Sequence, residues 1–122
     1  MKVLLSIKPQ FAVKIFDGTK KFEFRKSIFK NSNINTVVVY ASSPVQKVIG
    51  EFTIDKIMEE EPEALWEMTK KHSGITKDFF DEYFFNRDRA FAIKVKDITL
   101  YLVPKDLIDF DLNFAPQSFV YL

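Results

Sequence analysis

The sequence contains no cysteine, one histidine and only three glycines in 122 residues. The lack of cysteine excludes disulfides, zinc–thiolate sites and cysteine nucleophiles. With His72 alone, neither a histidine metal cluster nor a well-supported Ser-His-Asp triad can form. The glycines are isolated, so a glycine-rich phosphate loop is also excluded. We therefore expect no metal and no cofactor, and any chemistry must come from lysine, arginine, carboxylate and hydroxyl groups.

Long apolar runs are missing as well. The apolar stretch that precedes Lys8 and Pro9 is too short for a signal-peptide core or a membrane span. Together with the lack of cysteine, this predicts a soluble cytoplasmic protein with no membrane partner. The length predicts one domain over residues 1–122.

Charge is balanced overall but unevenly distributed. Residues 1–30 hold eight basic and two acidic side chains, whereas residues 51–83 hold four lysines and ten acidic side chains. A basic N-terminal third favours an anionic partner such as RNA or a nucleotide. The alternative is a dipolar surface without a partner.

Hydrophobic periodicity predicts more strands than helices. Proline at a first helical position and glycine after a last one mark a short helix from Pro9 to Gly18, and further helices follow Pro62 and Thr76. The predicted strands are Lys2 to Ile7, a strand after Gly18, Thr36 to Tyr40, Val45 to Ile57, Phe91 to Val95, Leu100 to Val103 and Phe119 to Leu122. This order lacks a regular βαβ alternation and predicts an α+β fold with a curled or closed sheet.

The most informative segment is Gly18-Thr19-Lys20-Lys21-Phe22-Glu23-Phe24-Arg25. Because side chains of a strand alternate between its two faces, the phenylalanines are expected to face the core, and Lys21, Glu23 and Arg25 the other side. Spacing alone gives equal weight to a cleft and to a half-buried edge strand with a solvated ion pair.

The spacing of Gly18, Lys20, Glu23 and Arg25 resembles the signature of the ASCH domain, a branch of the PUA-like superfamily. The resemblance extends over nearly the whole chain through the flanking segments Leu4 to Pro9, Tyr40 to Pro44 and Pro116 to Phe119. It implies a small mixed β-barrel (PUA-like) with two or three flanking helices.

The resemblance also implies which side chains line a cleft. Lys20, Glu23 and Arg25 are expected to face it, joined by Lys8, Ser42, Ser43, Gln117 and Ser118. Arginine offers a planar fork for a phosphate or a base edge, lysine a mobile cation, and glutamate an acceptor for an exocyclic amine. Tyr40, Tyr83 or Tyr121 could supply an aromatic wall; the alternative is that each packs in the core with its hydroxyl in solvent.

Three functions remain open. The first is a module that binds RNA or a modified nucleotide, in regulation of transcription or translation. The second is a small hydrolase, because some ASCH relatives are amidohydrolases acting on acylated cytidine nucleosides and others are proposed ribonucleases; Lys20 and Glu23 would then be catalytic. In the amidohydrolases a threonine stands where Glu23 stands here, so Thr19, Ser42 or Ser43 would replace it, or Glu23 would activate water. The third is a protein-interaction surface on the acidic, aromatic helices.

Overall fold

One mixed sheet of six strands organises the fold, with three helices packed around it. The structure, a computed structural model, describes all residues 1–122. In chain order the elements are β1 (Lys2–Ile7), α1 (Pro9–Phe16), β2 (Phe22–Arg25), β3 (Thr36–Ala41), β4 (Lys47–Glu60), α2 (Pro62–Thr69), α3 (Lys77–Tyr83), β5 (Ala90–Lys105) and β6 (Phe119–Tyr121). Short 3-10 helices follow α2 and β5, at Lys70–His72 and Leu107–Phe110.

The strand order in the sheet is β2-β5-β4-β3-β1-β6. β1 pairs in parallel with β3, and every other neighbouring pair is antiparallel. The predicted α+β class is confirmed, and β3 is buried on both faces, as its β-branched sequence indicates.

The two separate strands predicted at Phe91 to Val95 and Leu100 to Val103 are wrong, because they are parts of one strand, β5. β4 pairs with β5 along most of its length through register shifts between Val48 and Gly50 and on both sides of Ile54. Such irregularities bend a strand without ending it, so the break in apolar alternation marks bends and not a turn.

Helix starts agree with the sequence signals. Pro9 and Pro62 occupy the first turns of α1 and α2, and the Thr76 hydroxyl accepts a hydrogen bond from the backbone N–H of Phe79 at the start of α3. After α1, Gly18 has a φ of +87°, a conformation that glycine adopts without strain. This turn directs the chain from α1 into β2.

The sheet curls into a half-barrel, and a side chain links its two edges. β2 and β6 are the edge strands. The Arg25 side chain of β2 donates to the carbonyl of Ser118, one residue before β6, over 3.0 Å. The open side of the half-barrel is therefore bridged at the position of the Gly18–Arg25 motif.

Candidate functional site

A cavity of about 160 Å³ lies where β2 meets the end of β1 and the helices α1 and α3. We call it the Lys20 cavity. Four of the predicted site residues line it, namely Lys8, Lys20, Glu23 and Arg25. The remaining wall consists of Ser6, Ile7, Phe11, Phe24, Ile75, Phe79 and Tyr83. Typical ligand pockets measure ~300–1,000 Å³, so this one suits a single base or phosphate group.

Lys20 is turned inward by the loop between α1 and β2. The N–H and the hydroxyl of Thr19 both donate to the carboxylate of Asp17, over 2.8 and 2.6 Å, and close this loop. The backbone N–H of Lys20 donates to the carbonyl of Lys14 in α1. As a result the Lys20 residue is only 2% exposed, which is exceptional for a lysine.

Few protein groups replace the water that the Lys20 ammonium group loses on burial. Its Nζ donates to the carbonyl of Ser73 over 2.6 Å and lies 4.8 Å from the ring centre of Phe24 and 5.4 Å from that of Phe11. Burial lowers the pKa of Lys20 from its ordinary 10.5 to about 8, although the charge of Glu23 acts in the opposite direction. Lys20 can therefore exchange a proton near neutral pH.

Glu23 is buried beside the cationic side chains of Lys20 and Arg25. The residue is 6% exposed, and its Oε2 accepts from the Arg25 guanidinium over 3.3 Å. Burial raises the pKa of Glu23, while the charges of Lys20 and Arg25 partly offset this effect. Phe22 and Phe24 pack into the core as expected, but the alternative of a solvated ion pair is wrong, because helices cover this face of β2 as well.

Arg25 uses its terminal N–H groups within the protein. Nη1 donates to the Ser6 carbonyl and to Glu23, and Nη2 donates to the carbonyl and, over 3.4 Å, to the hydroxyl of Ser118. Four contacts occupy the four terminal N–H donors of the guanidinium group. This arrangement leaves little of the planar fork for a phosphate and holds Glu23 and the C-terminal segment in place.

Two side chains give the cavity an accessible cation and an aromatic wall. Lys8 is exposed, makes no ion pair, and its Nζ lies 5.7 Å from the ring centre of Phe79. Of the three tyrosines considered for the wall, only Tyr83 lines the cavity. Tyr40 belongs to the core, and the hydroxyl of Tyr121 accepts backbone N–H groups elsewhere.

The other predicted site residues lie outside the cavity lining. The Ser42 N–H donates to the carbonyl of Ile7, and Ser43 is exposed in the turn that follows β3. Gln117 is exposed, and Ser118 reaches the site only through Arg25. A ligand-binding role for these four residues stays a prediction.

The helices supply cavity walls that the sequence did not predict. Phe11 of α1 and Phe79 of α3 line the cavity, as does Ile75, which precedes α3. Apolar residues at helical spacing indicate a buried face, but spacing alone does not distinguish a core from a cavity wall. No three histidine, cysteine or acidic residues come together as metal ligands, and no helix is long and apolar enough to span a membrane.

Residues 1–117 match the protein family described as "Domain of unknown function (DUF365)". This chain belongs to the DUF365 family. The DUF365 domain superposes on the crystal structure of ASCH from Zymomonas mobilis with a TM-score of 0.90 at 26% identity, over 99% of this chain and 87% of that one. The N-terminal domain of Staphylothermus marinus McrB shares only the fold, with a TM-score of 0.51 at 15% identity over 88% and 77% of the two chains. The resemblance to the ASCH family and its PUA-like fold is confirmed.

Curated relatives match this chain over part of their own length. The chain is 32% identical to large ribosomal subunit protein uL22 of Ureaplasma parvum, over 98% of this chain and 39% of that protein. It is 34% identical to an ATP synthase subunit alpha of the same species, over 98% and 15%. The ASCH domain-containing ribonuclease of Zymomonas mobilis is 27% identical, over 79% and 65%. The chain thus spans about two fifths of the ribosomal relative.

Proposed function

We propose that this DUF365 domain binds single-stranded RNA at the Lys20 cavity and cleaves it as a ribonuclease. One observation carries the proposal: a buried lysine whose pKa falls to about 8 lies in the same cavity as a buried carboxylate and an accessible cation. The similarity to a protein named as a ribonuclease supports the choice of RNA as substrate.

Lys20 is the proposed general base. A base works best when its pKa lies near the working pH. With a pKa of about 8, about a tenth of Lys20 is neutral at pH 7 and half at pH 8. A neutral amine can still donate to the Ser73 carbonyl while its lone pair accepts a proton from substrate.

The proposed step is attack by the ribose 2′-hydroxyl on the adjacent phosphorus. The proton of this hydroxyl passes to Nζ of Lys20, a bond forms between the 2′ oxygen and phosphorus, and the bond from phosphorus to the 5′ oxygen breaks. The departing 5′ oxygen takes a proton from solvent at the cavity mouth. The products are a 2′,3′-cyclic phosphate and a 5′-hydroxyl end, and the proton on Lys20 returns to solvent.

The other lining residues bind and position the substrate in this proposal. Lys8 is the cation for the phosphate, since it is exposed and unpaired. Tyr83 and Phe79 offer ring faces for a base. Glu23 accepts a hydrogen bond from the nucleobase or compensates the positive charge of Lys20. Arg25 keeps Glu23 in position.

Binding without cleavage is the second candidate. It is favoured by the enclosure of the Lys20 ammonium group between two rings and a carbonyl, an arrangement that also suits a purely structural cation. Amide hydrolysis of acylated cytidine has less support, because the Thr19 hydroxyl is tied to Asp17 and the serines after β3 lie outside the cavity lining.

The test is incubation of a single-stranded dodecanucleotide RNA with the protein, with products identified by mass spectrometry. We expect a 2′,3′-cyclic phosphate product, a rate that rises with pH and levels off above about pH 8, and loss of cleavage in Lys20→Met and Lys20→Arg. Arginine keeps the charge but cannot lose its proton, so it separates a base from a structural cation. Lys30→Met, at an exposed lysine outside the cavity, is the matched control.

A second control replaces the RNA with an oligonucleotide of the same sequence that has 2′-deoxyribose throughout. It must remain intact if the 2′-hydroxyl is the nucleophile. Retention of the RNA without any product would reject the ribonuclease and leave the binding module. Cleavage by Lys20→Arg at the wild-type rate would reject Lys20 as the base.

A further inference from the structure

A second concave surface lies beside the Lys20 cavity and has a different character. It encloses about 400 Å³, and seven of its nine lining residues are polar or charged. We call it the lysine groove; its residues are Lys21, Phe22, Glu67, Met68, Thr69, Lys70, Lys71, His72 and Lys94. The ASCH spacing of Gly18, Lys20, Glu23 and Arg25 includes none of these residues, and the proposed cleavage step uses none of their side chains.

The positive charge of the lysine groove exceeds the negative charge near it. Glu67 pairs with Lys70 over 2.7 Å, and Asp55 pairs with Lys94 over 3.4 Å. Lys21 and Lys71 have no carboxylate within ion-pair distance. Two uncompensated cations in one concave surface favour an anionic partner.

Lys94 of the groove pairs in the sheet with a second lysine. Lys56 of β4 lies opposite Lys94 of β5, and Lys94 lies opposite Phe22 of β2. Residues opposite each other in an antiparallel sheet are neighbours, so Lys94 stands beside the phenylalanine of the groove wall and Lys56 follows it on the next strand. The lysines therefore form a row across the strands and not a single point of charge.

The kind of anion follows from the exposure of these groups. Lys21, Lys70, Lys71 and His72 are all exposed, and the hydroxyl of Thr69, the buried polar residue of the groove wall, already donates to the Leu65 carbonyl. A site for one small anion would enclose it with fixed donors, whereas spaced, mobile lysines suit the repeated phosphates of an extended chain.

The lysine groove and the Lys20 cavity share one segment of chain. The Lys21 N–H donates to the carbonyl of His72 over 2.9 Å, and the next carbonyl, that of Ser73, accepts from the Lys20 ammonium. Lys20 and Lys21 line different cavities, although they are neighbours in sequence. A ligand that is longer than one nucleotide could thus contact both.

We propose that the lysine groove binds the phosphate backbone of single-stranded RNA that extends beyond the nucleotide held in the Lys20 cavity. This inference rests on the proposed function, because it takes RNA as the ligand. It assigns Lys21 and Lys71 to affinity for longer RNA and not to the cleavage step.

The test compares Lys21→Ala/Lys71→Ala with Lys30→Ala/Lys105→Ala, which removes the same charge from exposed lysines outside both cavities. Binding is measured by fluorescence anisotropy with a labelled, uncleavable 2′-O-methyl dodecanucleotide over a range of salt concentrations. Each lost phosphate contact should reduce the slope of log affinity against log salt by about 0.7, so the groove variant should lose about 1.4 and the control none. Cleavage of a dinucleotide should be the same in all three proteins.

Four other outcomes overturn the inference. An unchanged slope in the groove variant, or an equal loss of slope in the control, rejects RNA binding by the lysine groove. If the wild type still cleaves the dinucleotide, the proposed function stands. Equal affinity of the wild type for dinucleotide and dodecanucleotide also rejects RNA binding by the lysine groove. If the wild type neither binds nor cleaves any RNA, the proposed function fails and this inference fails with it.

Discussion

The side chain of Lys20 lies directly against the backbone of Gly74. A Cβ atom at position 74 would come within 2.6 Å of both Cβ and Cγ of Lys20, and Gly74 has a φ of +70°. The Lys14 ammonium donates to the Gly74 carbonyl, and Ser73 binds the Lys20 ammonium. The segment before α3 therefore fixes both the stem and the head of the buried lysine.

Gly74→Ala should destabilise the protein and displace Lys20. The added methyl group needs space that Lys20 occupies, and overpacking of this kind typically costs about 1–3 kcal/mol. We expect a lower free energy of unfolding in urea and a changed titration of Lys20 in NMR spectra of ¹³C-labelled lysine.

Gly18→Ala is the matched control for this prediction. It also has a positive φ, of +87°, but a Cβ there would have no neighbour within 4 Å. Only the cost of the left-handed backbone, about 1–2 kcal/mol, should appear, without a change at Lys20. An unaltered Lys20 titration in Gly74→Ala would contradict the packing argument.

Stability should rise with pH as Lys20 loses its proton. Because the pKa of Lys20 is about 8 when folded and 10.5 ordinarily, the unfolded chain binds more protons between these values, and the free energy of unfolding increases with pH. The full effect of this difference is about 3 kcal/mol, reached near pH 10.5 and absent below pH 8.

The measurement for this prediction is urea unfolding from pH 7 to pH 10.5 for the wild type and Lys20→Met. Methionine has no titrating group, so the difference between the two proteins isolates the contribution of Lys20. Parallel curves for both proteins over this range would show that the pKa of Lys20 is not lowered by folding.

Glu23→Gln should lower the pKa of Lys20 below about 8, because the negative charge of Glu23 favours the protonated amine. The pH at which cleavage reaches its plateau should then move down by the same amount, if Lys20 is the base. ¹³C-lysine NMR titration gives the pKa and product analysis gives the rate. Glu67→Gln changes an exposed carboxylate in the lysine groove and should shift neither; a Lys20 pKa that rises in Glu23→Gln would refute the coupling.

Arg25→Met should release the open side of the half-barrel. It removes the bonds to Ser6 and Ser118 and leaves Glu23 without its partner, and breaking a buried ion pair typically costs about 3–5 kcal/mol. Hydrogen exchange at the β6 amides should become faster than in the wild type, and it should increase more than exchange at β3 does. Adding Glu23→Gln should recover part of the loss, whereas Ser118→Ala alone keeps the carbonyl bond and should cost about 0.5 kcal/mol or less. Unchanged exchange at β6 would reject this bridging role.

The sequence predicted the ASCH motif and the placement of Phe22, Glu23 and Arg25 along β2, because both depend on local spacing. The expected common face of Lys21 with Glu23 and Arg25 is wrong, because Lys21 precedes β2 and lines the lysine groove beside Phe22. It did not predict the burial of Lys20. That residue precedes the strand, so alternation along β2 does not determine its direction; the Asp17–Thr19 turn and the Ser73 carbonyl do. Contacts across more than fifty residues leave no periodic signal.

The aromatic wall was hidden for a related reason. Phe79 and Tyr83 are four residues apart in α3 and share a helix face, but a face that lines a cavity has the same pattern as one that packs in a core. The continuity of β5 could not be read either, since bends at its register shifts interrupt the alternation that identifies a strand.

The pairing of β1 with β6 has a consequence for how such a domain can be carried by another protein. Val3 lies opposite Tyr121, and the Leu122 N–H donates to the carbonyl of Lys2 over 3.0 Å, so the first and last residues stand side by side. A host chain could enter and leave at one point of its surface, with no span to bridge and no strain on the Lys20 cavity. Because the two ends are adjacent, a short peptide could join residues 1 and 122. A circular permutant could then begin and end at an exposed turn such as that around Asn86.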